Sequence, residues 1–548
     1  MSIRKNRLSE ISPSIEGEIF KRNICFLAFS DMIFCEHLYM INLSMQKLFS
    51  SSIYGISGHL VEVEVDVITG MGQFTVVGLG DAAIQESRER VRSAVKNSGY
   101  IFPGGARITV NLAPADLRKK GPLYDLPIAL GILGKDIEFR TDIVGESLFL
   151  GELALDGFIR PIQGALPATI LARELGMKRI FVPLDNALEA SVIPDIDVIG
   201  VSRLSDVVDI LTGNTPIPPG AIRPEPLTSE MRIYSPDFSD IIGQEHAKRA
   251  LLIAAAGGHN MLMQGPPGSG KTMLAKAMAG ILPDMELEEQ IELSKIYSVA
   301  GLLTRDLPLI TERPFRVIHH TASEASIIGG GREARPGEIS LAHKGVLFLD
   351  EFLEFSKAIL ETLRQPLEDG EITINRVNQS CRYPARFSLV GAMNPCPCGY
   401  MGDPEKPCVC SPLSIDKYRS RLSGPILDRV DICIQVPRVK TGELSEKRSG
   451  QTSQELKSIV MQAKGLQYTR FASKSIHSNA EMSNVEIENL ANISEAALNI
   501  AISSTEKLKL STRVYYRILR VGRTIADIDG SPTVEVRHIL EALSYRGS

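Results

Sequence analysis

The chain has 548 residues, too many for one ordinary hydrophobic core, so two to four domains are expected. A composition of 44% hydrophobic and 23% charged residues is that of a globular protein, and a net charge of −5 excludes a surface coated with basic groups. Eight cysteines over this length do not make a disulfide framework, and the crowding of Cys396, Cys398, Cys408 and Cys410 favours a reducing, cytoplasmic compartment with that cluster as a ligand set.

No apolar stretch is long enough to span a bilayer, so no membrane partner is expected. Residues 1–44 carry a short apolar run that Asp31 interrupts, and no cleavage pattern follows it. They read as a disordered extension or a mis-assigned start, with organised sequence opening at Met45. Over residues 45–213, strand and helix patterns alternate. "HLVEVEVDV" has the two-residue period of a half-buried strand, "AAIQESRERVRSAVKNSG" has helical spacing ending on Gly99, "ARITVNLAP" is a strand and "DLPIALGILG" an apolar helix. Residues 214–236, rich in proline and polar residues, read as a linker. A second α/β unit covers 237–440, and polar, helix-rich sequence fills 441–548.

The strongest signal is "NMLMQGPPGSGKTMLAKAMAGIL", an apolar strand, then Gly265, Pro266, Pro267, Gly268, Ser269, Gly270, Lys271 and Thr272, then a helix. This is P-loop spacing in the context that gives it meaning. Glycines let backbone N–H groups turn toward phosphate oxygens at the positive end of the helix. Lys271 reaches the β- and γ-phosphates of ATP, and the Thr272 hydroxyl ligates Mg²⁺. Downstream, "KGVLFLDEF" ends an apolar strand on Asp350, placed to hold Mg²⁺ through water, and Glu351, placed to polarise the attacking water. A further strand, "RFSLVGAMN", delivers Asn394 to the same face, where a neutral amide can orient that water.

Together these elements resemble the AAA+ ATPases, in their magnesium-chelatase-like branch, the ComM/YifB family. The marks are "DIIGQEHAKRAL", "GPPGSGKTMLA", "HHTAS", "GGG", "PGEISLAHKGVLFLDE", "PARFSLVGAMNPCPCG", "RLSGPILDRVDI" and "LSTRVYYRILRVGRTIADI". They cover nearly everything from Met45 onward. Ile318 and Leu353 stand where the family pattern has proline; neither position carries chemistry. The resemblance implies an α/β architecture with a P-loop AAA+ core, an N-terminal Lon-protease-like (S5 domain 2-like) domain and a C-terminal helical lid. It implies that Ile242, Gly243 and Gln244 line the adenine pocket and that Arg429 is an arginine finger reaching a neighbour's nucleotide in a homo-hexamer. It also implies that Arg513 is a sensor-2 arginine. The plainer alternative for Arg429 is an ion pair with Asp428 or Asp431. "PLEDGEITINRVNQSCRYPARF" resembles a pore hairpin, with Arg376 and Arg382 facing a nucleic-acid backbone; the alternative is an ordinary solvated hairpin.

Cys396, Cys398, Cys408 and Cys410 could give four thiolates to a structural Zn²⁺, with free thiols or a redox pair left open. Cys25, Cys35, Cys381 and Cys433 are scattered and read as ordinary. In the Lon-like region, "KKGPLYDLPIALGIL" and "GELALDGFIRPIQGALPATILARELGMKRIFVP" place Leu123 at the nucleophile position and Leu166 at the lysine position. Lys119 and Lys120 lie nearby, but a base without a nucleophile does no acyl transfer, so a non-catalytic collar is expected rather than a peptidase. The expectation is an ATP-driven motor translocating DNA through a central pore, a helicase of branch migration in homologous recombination during natural transformation, with recombination proteins as partners. A chelatase-type subunit is the alternative.

Overall fold

The computed structural model describes residues 45–78, 82–117, 119, 121–219, 236–331, 334–376, 379–403, 405–422, 424–439, 450–472, 474 and 476–546. The expectations for residues 1–44, Lys120, most of the linker and the Arg376 side chain fall outside them.

The first unit is a seven-stranded sheet. Its strands are β1 (Met45–Tyr54), β2 (Ser57–Thr69), β3 (Gln73–Val77), β4 (Ala106–Ala113), β5 (Ser147–Phe149), β6 (Arg179–Pro183) and β7 (Asp197–Val201), in the order β3-β4-β2-β1-β5-β6-β7. Alternation in β2 turns Val61, Val63, Val65 and Val67 inward. Against that face lie α1 (Ala82–Asn97) and α2 (Asp125–Leu133), whose nine residues are all buried. Apart from Asp125 at its start, which pairs with Arg90 at 2.7 Å, the second helix is apolar throughout, as an interior helix must be.

The second unit is a five-stranded, all-parallel sheet. Its strands are β8 (Met261–Gln264), β9 (Phe315–Ile318), β10 (Val346–Leu349), β13 (Ser388–Met393) and β14 (Ile432–Gln435), in the order β9-β10-β13-β8-β14. A hairpin of β11 (Glu371–Arg376) and β12 (Gln379–Pro384) precedes β13. Strands such as "VLFL" are buried on both faces, as a parallel sheet between helices requires. Ile318 and Leu353, which replace prolines of the family pattern, are both buried in the core.

Helices α5 (Glu245–Gly257), α6 (Lys271–Met278) and α8 (Ser453–Phe471) pack in one core with α9 (Glu495–Lys507), α10 (Thr512–Ile528) and α11 (Val536–Ser544). Within the helix-rich 441–548 stretch, regular helix begins at Ser453.

The two units meet where α3 (Ala165–Glu174) faces α7 (Leu287–Ala300). The Gly164 N–H donates to the Ser298 carbonyl (3.2 Å), and the Ser298 hydroxyl donates to the buried Glu189 carboxylate. Glu189 also accepts from the Leu166 N–H and the Asn186 amide, both at 3.0 Å. Burial pushes the Glu189 carboxyl above its ordinary range despite these bonds. Leu166 packs with Val192 and Ile193 of its own unit and with Leu309 of the facing one.

Candidate functional site

Parallel strands deliver their C-terminal ends to one face, and the P-loop leaves β8 there. Gly268 and Gly270 have φ of +76° and +89°, and a Cβ on either would meet nothing within 4 Å. The loop therefore keeps an open cradle of backbone N–H groups that a side chain would both strain and fill. The donor set suits a polyphosphate. Lys271 is buried, and its ammonium donates to the Gly265 carbonyl (2.7 Å), the Pro266 carbonyl (2.9 Å) and Asn394 Oδ1 (3.4 Å). Burial lowers its pKa, while Asp350 works in the opposite direction.

The Thr272 hydroxyl donates to Asp350 Oδ2 at 2.9 Å, so the hydroxyl and carboxylate that a Mg²⁺ ion would use already stand together. Glu351 occupies the left-handed region at φ +54°, a conformation rare for a side chain of this kind, and its N–H donates to Asp350 Oδ1 at 3.0 Å. The turn swings its exposed carboxylate to 2.8 Å from His320 Nδ1. His320 follows β9, the neighbour of β10 in the sheet. It belongs to the quoted "HHTAS" mark, but no role could be read for it, because only the β9–β10 register brings it to Glu351.

Gln244 is left-handed (φ +59°) and its amide donates to the Pro437 carbonyl at 2.5 Å. Next along the chain, Arg438 Nη2 is 3.4 Å from the carbonyl of Pro267 in the P-loop. The Ile242–Gln244 turn thus lies beside the P-loop, at the flank expected for a base.

Arg429 and Arg513 are elsewhere. Arg429 precedes β14, and the Asn260 amide, just ahead of β8, donates to its carbonyl at 2.9 Å. Both therefore lie at the N-terminal ends of their strands. A four-residue strand spans roughly 13 Å, so the P-loop is across the sheet. The Arg429 guanidinium pairs with Glu368 and donates to the Pro425 carbonyl at 2.5 Å. The alternative partners Asp428 and Asp431 are taken by others: Arg513 lies 3.6 Å from Asp428, and Arg517 Nε 3.6 Å from Asp431. Arg429, Arg513 and Arg517 line one cavity of about 600 Å³.

Asp431 is the fixed point of this end. Its Oδ2 accepts from the Asn260 N–H (3.2 Å) and stands 3.4 Å from His259 Nδ1. Burial works to raise its pKa, but His259, then Arg517 and Arg520, overcome that and hold the carboxyl at about 2. Arg517 in turn donates to the carbonyls of Leu427 (3.3 Å) and Val430 (3.1 Å), clamping the turn that carries Arg429.

In the hairpin, Ile372, Ile374, Cys381 and Tyr383 face the core, while Arg382 is exposed opposite Thr373. Neither Cys381 nor Cys433 is in a disulfide. The other four cysteines among the described residues converge: Cys396, Cys398, Cys408 and Cys410 place their sulfurs within 4.8 Å of one another. Backbone N–H groups of Tyr400 and Val409 hold the Cys398 thiol at about 6.

In the first unit, Leu123, Gly164 and Pro161 line a cavity of about 310 Å³ together with Val299, Arg335 and Tyr383 of the second. Among the described residues, its lining contains no serine, threonine, cysteine or lysine. Lys119 is buried and donates to the Pro114 carbonyl. Among the described residues, no helix is long and apolar enough to cross a membrane.

Three family patterns match the chain: "Magnesium chelatase, subunit ChlI" over residues 237–444, "Subunit ChlI of Mg-chelatase" over 63–186, and "Magnesium chelatase, subunit ChlI C-terminal" over 450–546. Competence protein ComM of Haemophilus influenzae is 43% identical over 509 residues, 92% of this chain and 98% of that protein. The uncharacterized protein YifB of Escherichia coli is 40% identical over 506 residues, 92% of this chain and 97% of its own length. The magnesium-chelatase 38 kDa subunit of Rhodobacter capsulatus is 28% identical over 330 residues, 56% of this chain and 87% of that subunit. The chain belongs to the ComM/YifB family of magnesium-chelatase-like AAA+ ATPases.

Proposed function

We propose that the chain is the protomer of a cytoplasmic, hexameric ATP-driven motor that moves DNA through its central opening. On this reading it is a helicase of branch migration in homologous recombination during natural transformation. One observation carries the assembly. The groups suited to ATP and Mg²⁺ lie at the C-terminal ends of the strands, and the arginines suited to stabilising a transferred phosphoryl group lie at the N-terminal ends. A single chain does not bring them together, whereas rotational repetition of the chain around a ring does.

In the resulting site, Lys271 leaves the loop carbonyls for the phosphates. Thr272 and Asp350 would hold Mg²⁺, which would supply charge neutralisation when bound. Glu351, oriented by His320, accepts the proton of the attacking water, and Asn394 fixes that water's direction. Arg429 and Arg513 of one protomer complete the site of the next, Arg429 releasing Glu368 as it does so. The remaining cofactor is a structural Zn²⁺ on the four thiolates.

The DNA substrate is supported by the similarity to a competence protein, ComM, and by the exposed Arg382 on the hairpin. The residues 45–213 act as a guiding collar: apolar Leu123 and Leu166 stand where acyl-transfer groups would be needed, and the cavity at Leu123 is walled by the motor unit. A second reading, a chelatase-type subunit driving a metal into a porphyrin, draws on the 28% identity to the Rhodobacter capsulatus subunit. ATP turnover measured with a four-way DNA junction and with a porphyrin and its chelatase partners separates the two. Stimulation by the junction is expected; stimulation by the porphyrin mixture alone overturns the motor reading.

A further inference from the structure

The segment after Asn394 folds into a knuckle resting on the P-loop. Cys396 Sγ stands 3.4 Å from Cys398 Sγ and 3.6 Å from Cys408 Sγ, and Cys398 and Cys408 are 3.6 Å apart. A disulfide requires a separation of about 2.0 Å, so these are not bonded pairs. Four sulfurs at about 2.3 Å from one central ion would stand about 3.8 Å apart, the spacing of a tetrahedron's edges. The cluster therefore has room for a single ion and not for a polynuclear centre. The backbone supports this reading independently. The Cys398 N–H donates to Cys410 Sγ at 3.3 Å, the kind of outer-shell bond that orients and steadies a ligating thiolate. Four protein ligands leave no open coordination position, so the ion's role is structural.

What the knuckle touches decides what the ion does. Gly399, between the cysteine pairs, has φ +84°, and a Cβ there would stand 2.6 Å from Cδ of Pro267 and 3.8 Å from Cγ of Asn394. No side chain fits between the knuckle and the P-loop. On the far side, Asp403 turns back on its own loop, accepting from the N–H groups of Glu405 (2.8 Å) and Lys406 (3.1 Å). Arg438 then ties the two: its Nη1 donates to Glu405 at 3.0 Å, and its Nη2 stands 3.7 Å from Asp403 and 3.4 Å from the Pro267 carbonyl.

We propose that the four cysteines bind one Zn²⁺ whose purpose is to brace the nucleotide loop, through Gly399 and Arg438, so that metal occupancy sets affinity for ATP. Binding releases the thiol protons and involves no redox step, since Zn²⁺ has none to make. In the metal-free chain, residues 396–410 lose the cross-link that closes them, and Pro267 loses a fixed wall. Arg438 is a positioning residue; it acts on nucleotide through the loop. The inference rests on the P-loop holding nucleotide, and not on DNA being the substrate.

The test uses the full chain purified without chelator. Elemental analysis should find one zinc per chain. Replacement by Co²⁺ should give the charge-transfer and d–d bands of tetrahedral thiolate coordination, and Cys398→Ser with Cys410→Ser should abolish both signals. A fluorescent ADP analogue should bind about ten-fold more weakly to metal-free protein, with recovery on zinc addition. Arg438→Ala should keep its zinc and show the same weakening, largely as a rise in KM for ATP, with Arg438→Lys restoring part of it. If the cysteine variant does not fold, the wild-type metal content and Arg438→Ala still decide the matter. Zinc below a tenth of stoichiometry with no cobalt spectrum, a mass two protons light per cysteine pair, or full nucleotide affinity in metal-free chain overturns the proposal. One zinc per chain and nucleotide affinity that falls when the metal is removed, with turnover unaffected by any DNA, would instead overturn the motor reading and leave the brace standing.

Discussion

Asp431→Asn is the substitution through which stability and catalysis are most tightly joined. The change is nearly isosteric, so it creates no cavity; it removes a charge between His259, Asn260 and Arg517. A carboxyl held at about 2, against an ordinary 3.8, contributes roughly 2 kcal/mol, at 1.36 kcal/mol per pKa unit. Leaving Arg517 buried beside a neutral amide raises the loss toward the 3–5 kcal/mol range of about that size seen when one partner of a buried pair is removed. The expected cost is thus about 2–4 kcal/mol. Because the folded pKa is depressed, this stabilisation is fully present above the unfolded value and disappears as pH falls through about 2. The gap between wild type and variant should be constant from pH 7 to pH 5 and close only under stronger acid. Urea unfolding followed by far-UV circular dichroism measures it, the chain having no tryptophan to report by fluorescence. The same substitution frees Arg517 from the turn that carries Arg429, and a displaced catalytic group costs on the order of 10²-fold in turnover. Nucleotide affinity should stay within a factor of about three, because the P-loop is across the sheet. A variant as stable as wild type at pH 7, or one losing nucleotide affinity in step with turnover, refutes the reasoning.

Glu351→Gln should hold ATP with wild-type affinity and lose about 10²–10⁴-fold in turnover, measured by phosphate release against nucleotide binding. His320→Ala should lower kcat with KM for ATP unchanged, if the 2.8 Å approach of its Nδ1 to Glu351 positions that carboxylate for the attacking water. Arg382→Ala should weaken single-stranded DNA binding about equally for all sequences and reduce the slope of log affinity against log salt by about one, read by anisotropy titrations over a salt series.

Much of the ATP site was legible because its parts are local in sequence. A strand, a glycine-rich turn and a helix in succession can do little else, and apolar strands ending on Asp350 or Asn394 announce which end faces the nucleotide. The all-buried helix at Asp125–Leu133 and the alternating β2 were equally plain. What escaped was set by register between distant segments. His320 meets Glu351 only because β9 pairs with β10, and Glu368, not Asp428 or Asp431, holds Arg429 because the helix before β11 folds over the strand ends. Nothing in the sequence marks Arg438; its link between P-loop and cysteine knuckle appears only once β14 lies beside β8. The cysteines were visible as a cluster, but not the contact of their loop with Pro267, which Gly399 makes only in the folded chain.

The central claim is that each hydrolysis site is built from two protomers, and a mixing experiment addresses it most directly. Lys271→Ala and Arg429→Ala chains, each inactive alone, are combined in equal amounts with ATP and Mg²⁺. The account predicts that activity returns, because some interfaces then pair an intact P-loop with an intact arginine. No recovery in mixed rings of demonstrated composition, or full activity from wild-type chain that remains monomeric, contradicts it.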